Sequence, residues 1–111
     1  MPTATATAVV AEQVDAFNAR DLDRFLATYA ADAVVAGVTP EPMVGRDALR
    51  AFYAGRFEDP ALHCEITTSV AFGERWVVAR ELVTTAGGTG ETVATFDVAD
   101  GVIARASMLK A

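Results

Sequence analysis

The sequence predicts an α+β domain in which a strongly curved, mixed or antiparallel sheet wraps around N-terminal helices as an open cone. Three observations carry this. Apolar residues recur at helical spacing up to about residue 57. From Leu62 the period changes to two. Short turn signals, Gly73-Glu74, Gly87-Gly88-Thr89-Gly90 and Asp100-Gly101, then separate long alternating segments. A chain of 111 residues is a single-domain length, and neither a repeat nor a linker divides it. One domain over 1–111 is therefore expected, large enough to bury roughly two thirds of its unfolded surface.

The first helix is expected from about Thr5 to Ala19, with Val10, Val14 and Phe17 on one stripe. Asp21 is placed as the N-cap of a second helix, although Arg24 stands where a capping box would carry Glu. Leu22, Phe25, Leu26 and Tyr29 share that helix's face, and it is expected to stop near Ala31, with a short strand from Ala33. Gly37, Pro40 and Pro42 mark a loop. Gly45-Arg46-Asp47 opens a third helix with Leu49, Phe52, Tyr53 and Phe57 on one side, and Asp59-Pro60 ends it. Beyond Leu62, strict alternation points Cys64, Ile66, Thr68, Val70 and Phe72 one way and His63, Glu65, Thr67, Ser69 and Ala71 the other. Strands over 75–86, 91–98 and 102–110 complete a meander.

Composition narrows the function. Hydrophobic residues are 52% and charged residues 22%, which argues against disorder. With a net charge of -6 and nine scattered basic residues, neither nucleic acid nor an anionic membrane is an expected partner. Cys64 is the only cysteine and His63 the only histidine, so no intrachain disulfide and no zinc site is expected. The glycine run 87–90 lacks a following helix, which argues against phosphate cradling. No stretch reaches membrane-spanning length, and 1–6 lack a basic and apolar leader pattern, so a cytoplasmic location is expected. The strand over 75–86 is apolar on both faces: Trp76, Val78 and Leu82 on one, Val77, Ala79 and Val83 on the other. One face can pack on helices; a second copy of the chain is the simplest cover for the other, predicting a homodimer with Trp76 in the core or the interface.

Four segments in this order carry a family resemblance: Phe17-Asn18-Ala19-Arg20-Asp21-Leu22-Asp23, Tyr29-Ala30-Ala31-Asp32-Ala33-Val34, Gly45-Arg46-Asp47-Ala48-Leu49-Arg50-Ala51-Phe52-Tyr53 and Asp100-Gly101-Val102-Ile103. They resemble, nearly end to end, the nuclear transport factor 2-like superfamily and its small bacterial SnoaL-like and ketosteroid-isomerase-like members. The resemblance implies a cystatin-like α+β roll with an internal apolar cavity, pairing through the outer face of the sheet. It implies no single activity, since relatives of this shape isomerise, cyclise, dehydrate or hydrolyse small apolar molecules, and others only bind partners. Ketosteroid isomerisation needs a carboxylate base and an oxyanion hole of a tyrosine and a protonated acid. Aligned by eye, those positions fall on Gly37, Gln13 and Ala94, so that mechanism is not expected. Tyr29 and Tyr53 match accessory tyrosines.

Strand alternation supplies the remaining candidates. Val78, Arg80 and Leu82 share a face, as do Ala94, Phe96 and Val98, and likewise Ile103, Arg105, Ser107 and Leu109. If these faces line the cavity, Tyr29, Tyr53, Val78, Arg80, Leu82, Phe96, Arg105 and Ser107 contact the ligand. Arg80 and Arg105 would then clamp an anion or a polarised carbonyl, unless they turn to the rim or pair with Glu81, Asp97 or a helix carboxylate. His63 is the one side chain whose unperturbed titration lies near neutrality, so His63, Arg80 and Arg105 are the catalytic candidates. His63 and Cys64 are neighbours on a strand and face opposite ways, which opposes a nucleophilic pair. The expected function is a lyase, isomerase or cyclase needing no cofactor and no metal, acting on a small apolar or carbonyl-bearing molecule. The alternative is a non-catalytic module that binds a small ligand or a protein.

Overall fold

A computed structural model describes residues 5–110. Three helices come first, α1 (Ala6–Ala19), α2 (Leu22–Ala27) and α3 (Arg46–Arg56), with strands β1 (Tyr29–Ala36) and β2 (Met43–Val44) between the last two. Four long strands follow: β3 (His63–Phe72), β4 (Trp76–Thr85), β5 (Gly88–Ala99) and β6 (Val102–Lys110). They form one six-stranded sheet in the order β2-β1-β6-β5-β4-β3, with β1 parallel to β6 and every other pair antiparallel. The α+β class and the mixed sheet are as the sequence predicts.

The caps explain the helix ends. The Thr5 hydroxyl accepts from the Ala8 amide at 3.1 Å, and the Asp21 carboxylate accepts from the Arg24 amide at 3.1 Å, so Asp21 caps α2 as expected. The second helix is shorter than predicted. Thr28 turns its amide and hydroxyl onto the Phe25 carbonyl, and its own carbonyl accepts from the Ile103 amide at 2.7 Å. That last bond recruits the chain into the sheet, so Tyr29 begins β1 opposite Ile103 instead of extending the helix to Ala31. Residues 43–44, expected within a loop, pair with Val34 and Val35 as an edge strand. The glycine run does not form the hairpin turn: Thr85 pairs with Gly88 and Thr84 with Thr89, leaving Ala86-Gly87 as the turn.

The helices cover one face of the sheet. Phe25, fully buried, packs its ring 4.7–6.0 Å from those of Tyr53, Phe57, Tyr29 and Phe17, and Leu49, Val35, Val77, Phe96 and Ile103 complete the core. Each such buried side chain contributes roughly 1.5–3 kcal/mol. The buried face of α1 runs through Ala6, Val9, Val10, Gln13 and Ala16, displaced from the predicted Val10-Val14-Phe17 stripe. Two polar clamps tie α1 to the start of β3. Asn18 exchanges hydrogen bonds with the Cys64 backbone at 2.8 and 2.9 Å. The Arg20 guanidinium donates to the carbonyls of Asp59, Pro60 and Leu62 at 2.9 Å each.

Register decides which residues face the helices, and it departs from simple alternation at three places, one of them on β1 between Tyr29 and Val34. On β3, Ile66 pairs with Glu81 but Thr68 pairs with Arg80, so Thr67 is an extra residue and everything beyond it changes sides. On β6, Ile103 pairs with Val98 but Arg105 pairs with Asp97, so Ala104 is the extra residue. Ile103 therefore faces the core while Arg105, Ser107 and Leu109 face away.

Candidate active site

Between α1, α3 and the helix-covered face of β3–β6 lies a half-open cavity of about 450 Å³, within the usual range of ligand sites, about 300–1,000 Å³. Phe17, Val38, Val83 and Met108 give it apolar walls; Arg56, Lys110 and residues 87–90 border its opening. Its deep end is polar. Gln13, Tyr53, Cys64 and Glu81 all line it, and all are buried.

Glu81 is the most informative of these. It occupies an inward position of β4, between Ala79 and Val83, with Ile66 opposite on β3 and Thr92 opposite on β5. Its residue is 5% exposed, and no cation pairs with it among the described residues. Burial raises its carboxyl pKa above the ordinary value, opposed by interaction with the Cys64 thiol, which reaches it diagonally across β3 and β4. Burial, and next the charge of Glu81, push the Cys64 thiol far up, so it stays protonated and can donate to the carboxyl. Burial also pushes the Tyr53 hydroxyl up to about 12, keeping it a donor. That hydroxyl has no hydrogen-bond partner among the described residues and borders the cavity. Gln13 is held by its amide nitrogen donating to the Tyr29 hydroxyl at 3.1 Å.

The predicted site residues divide sharply. Tyr53 lines the cavity, while Tyr29 and Phe96 are fully buried in the core, Tyr29 supporting Gln13 from behind. Val78, Arg80, Leu82, Arg105 and Ser107 are not in the cavity. They lie on the outer face of the sheet, and the arginine clamp expected there is corrected accordingly. Arg80 donates to Glu91 at 2.9 Å, and Arg105 and Arg75 both grip Asp97, at 2.6 and 2.7 Å. Ser107 meets Thr95 at 2.6 Å. The reason is register: Ala79, not Arg80, stands opposite Ala94, and the extra residue at Ala104 turns Arg105 outward. His63 is exposed at the start of β3 and Cys64 buried, facing opposite ways as expected, and His63 does not line the cavity.

Glu81 was missed as a site residue because β4 is apolar on both faces. Its signal is an acid interrupting the inward series Val77, Ala79, Val83. Gly37 explains the absent isomerase base: it sits at φ 88° against β6, and a Cβ there would collide with the Met108 carbonyl. Among the described residues, no three His, Cys, Asp or Glu side chains converge as metal ligands, and no helix is long and apolar enough to cross a membrane.

The fold recurs in known proteins. A cystatin-fold protein from Novosphingobium aromaticivorans is 22% identical with a TM-score of 0.83, over 96% of this chain and 98% of that one. A protein provisionally assigned as a polyketide cyclase, from Sinorhizobium meliloti, is 25% identical with a TM-score of 0.81, over 92% and 94%. A computationally designed 17-OHP binder is 19% identical with a TM-score of 0.85, over 97% and 92%. The sequence model of the SnoaL-like domain matches residues 10–106. The chain belongs to the SnoaL-like domain family, within the nuclear transport factor 2-like fold that its ordered motifs imply.

Proposed function

We propose that this protein is a cofactor-independent enzyme of the lyase, isomerase or cyclase type, with Glu81 moving a proton on a small, apolar, carbonyl-bearing molecule. The observation that carries the reading is one buried carboxyl, facing the cavity without a cation. A structural carboxylate in an interior is normally paired, because an unpaired one costs several kcal/mol to desolvate. A carboxyl whose pKa is raised by burial is instead a stronger base than an ordinary carboxylate, suited to take up and return a proton. In its ionised state Glu81 takes the proton from a carbon beside the carbonyl. The C–H bond breaks, an O–H bond forms on the carboxyl, and the electron pair moves onto the carbonyl oxygen. The Tyr53 hydroxyl donates to that oxygen as its charge grows. The enolate then recovers a proton from Glu81, adds to a second carbonyl of the same molecule, or expels a leaving group; these outcomes distinguish isomerase, cyclase and lyase. The provisional polyketide cyclase and the designed 17-OHP binder, which share this fold, support the reading that the cavity takes a small molecule.

Proton exchange tests the reading without knowledge of the natural substrate. α-Tetralone, incubated with the protein in deuterated water, should lose its α-proton NMR signal faster than in buffer. Glu81→Gln should lower the enzymatic rate about a hundredfold or more while the ketone still binds. Binding without accelerated exchange in the wild type would favour the binding module.

The outer face supports a homodimer. Val70, Phe72, Trp76 and Leu109 are exposed there, Leu109 by 71%. Sedimentation at micromolar concentration should give twice the chain mass; a monodisperse monomer contradicts this assembly.

A further inference from the structure

We infer that the ligand of this cavity carries an anionic group, a carboxylate or its equivalent, held at the opening by Arg56 and Lys110 while its apolar body reaches toward Glu81. The inference deepens the proposed function and rests on it for the direction in which the ligand lies. Its basis is an inventory of the nine basic residues. Seven are occupied. Arg20 caps backbone carbonyls, and Arg46 donates to the Tyr29 carbonyl at 2.6 and 2.9 Å. Arg24 pairs with Glu12, Arg50 with Asp23, Arg75 and Arg105 with Asp97, and Arg80 with Glu91. The two that have neither an ion pair nor a hydrogen-bonded carbonyl among the described residues are Arg56 and Lys110, and these are the two basic residues that line the cavity.

They approach from different elements. Arg56 ends α3 with its guanidinium 5.1 Å from the centre of the Phe52 ring, a stacking that orients it. Lys110 ends β6 opposite Thr92. Neither nearby acid forms an ion pair with them, although Asp59 feels the charge of Arg56 through space. The Asp59 carboxylate accepts from the Ala61 and Ala86 amides at 2.9 and 2.8 Å, and Glu91 is drawn outward to Arg80. In a chain of net charge -6, two unpaired cations at one opening above apolar walls make a local anion site. The cavity is thus polar at both ends: cations at its exposed border, and the neutral donors of Tyr53 and Cys64 beside Glu81 at its buried end. That arrangement fits an amphipathic acid bearing an enolisable carbonyl away from its carboxylate.

Two dyes of one scaffold test this, 1-anilinonaphthalene-8-sulfonate and the uncharged N-phenyl-1-naphthylamine. The wild-type protein should bind the sulfonate about tenfold more tightly at low salt, with the preference shrinking as salt is added. Arg56→Met and Lys110→Met should each remove several-fold of the sulfonate's affinity, and the double variant should remove the preference, with affinity for the neutral dye kept within about twofold. Lys110→Arg should retain the preference. The neutral dye also serves as the folding control for Arg56→Met. Equal binding of the two dyes, a sulfonate preference that survives in the double variant, or no binding of either overturns the inference. The α-tetralone exchange assay uses a ligand without an anion, so the proton-transfer reading stands or falls separately.

Discussion

Arg80 and Glu81 are neighbours in sequence and face opposite sides of the same strand. Arg80 points outward, half exposed, and pairs with Glu91 across the β4–β5 ladder. Glu81 points inward, buried and without a cation. The outer face is consistent in this: Asp97, Arg75 and Arg105 form a closed trio there, and Thr95 bonds Ser107. The contrast teaches that charge on a strand marks a site only when burial withdraws water and nothing replaces it. On the outer face Arg80 pairs with Glu91, and Arg75 and Arg105 pair with Asp97, so these charges satisfy one another. On the inner face no guanidinium holds the carboxyl ionised, as the proposed proton transfer requires.

The largest effect that could break this contrast is on catalysis. Glu81→Gln should reduce proton exchange about a hundredfold or more, whereas Arg80→Met, one residue away, should leave it unchanged. Comparable losses from both would erase the distinction between the faces. Next is stability on the outer face. Asp97→Asn should destabilise by about 1–2 kcal/mol in urea titration, since it weakens charge-assisted bonds to two arginines, and should spare exchange.

The pH dependence sharpens the comparison, because the two acids shift in opposite directions. Arg75 first, then Arg105, hold Asp97 at a pKa of about 2 against an ordinary 3.8. Its stabilisation is complete above the ordinary value and is lost as pH falls from 3.8 toward 2. Glu81 is raised by burial, so the folded state holds its proton longer than the unfolded chain. Its contribution is present below the ordinary value of 4.5 and is lost as pH rises through the raised one. Around Glu81, the titratable groups are Cys64 on β3 and Tyr53 on α3, with Tyr29 on β1 behind Gln13 and the charge of Arg56 farther out beside Tyr53. Urea midpoints measured across pH should show the acid-side loss disappear in Asp97→Asn and the rise-of-pH loss disappear in Glu81→Gln. The smallest effect belongs to Arg80→Met, whose exposed pair should not measurably alter stability.

How much of this was legible in the sequence follows from particular residues. The architecture was, because the turn signals at Gly73 and Asp100-Gly101 fall where the strands end and the helix-forming stripes precede them. Asp21 could be read as a cap because its side chain acts locally. Tyr29 could not be taken out of the helix, since a bond from Ile103, seventy-four positions on, decides it. Site residues were less legible for a related reason. A one-residue bulge at Ala104 is silent in an alternating pattern yet turns Arg105 to the opposite face. On β4 the alternation was right, but both faces were apolar, and only the pairing of Ala79 with Ala94 tells inside from outside. The inward acid at 81 was visible as a break in an apolar series, but its burial depends on α1 and α3, which precede it by at least twenty-five positions.

The carbon-13 titration of side-chain carboxyls in glutamate-labelled protein tests the central claim most directly. One glutamate, identified by its disappearance in Glu81→Gln, should titrate above the ordinary value of 4.5 and should shift when α-tetralone is added. If every glutamate titrates at or below that value, or if the raised one does not respond to the ketone, Glu81 is not the proton-exchanging group of this cavity.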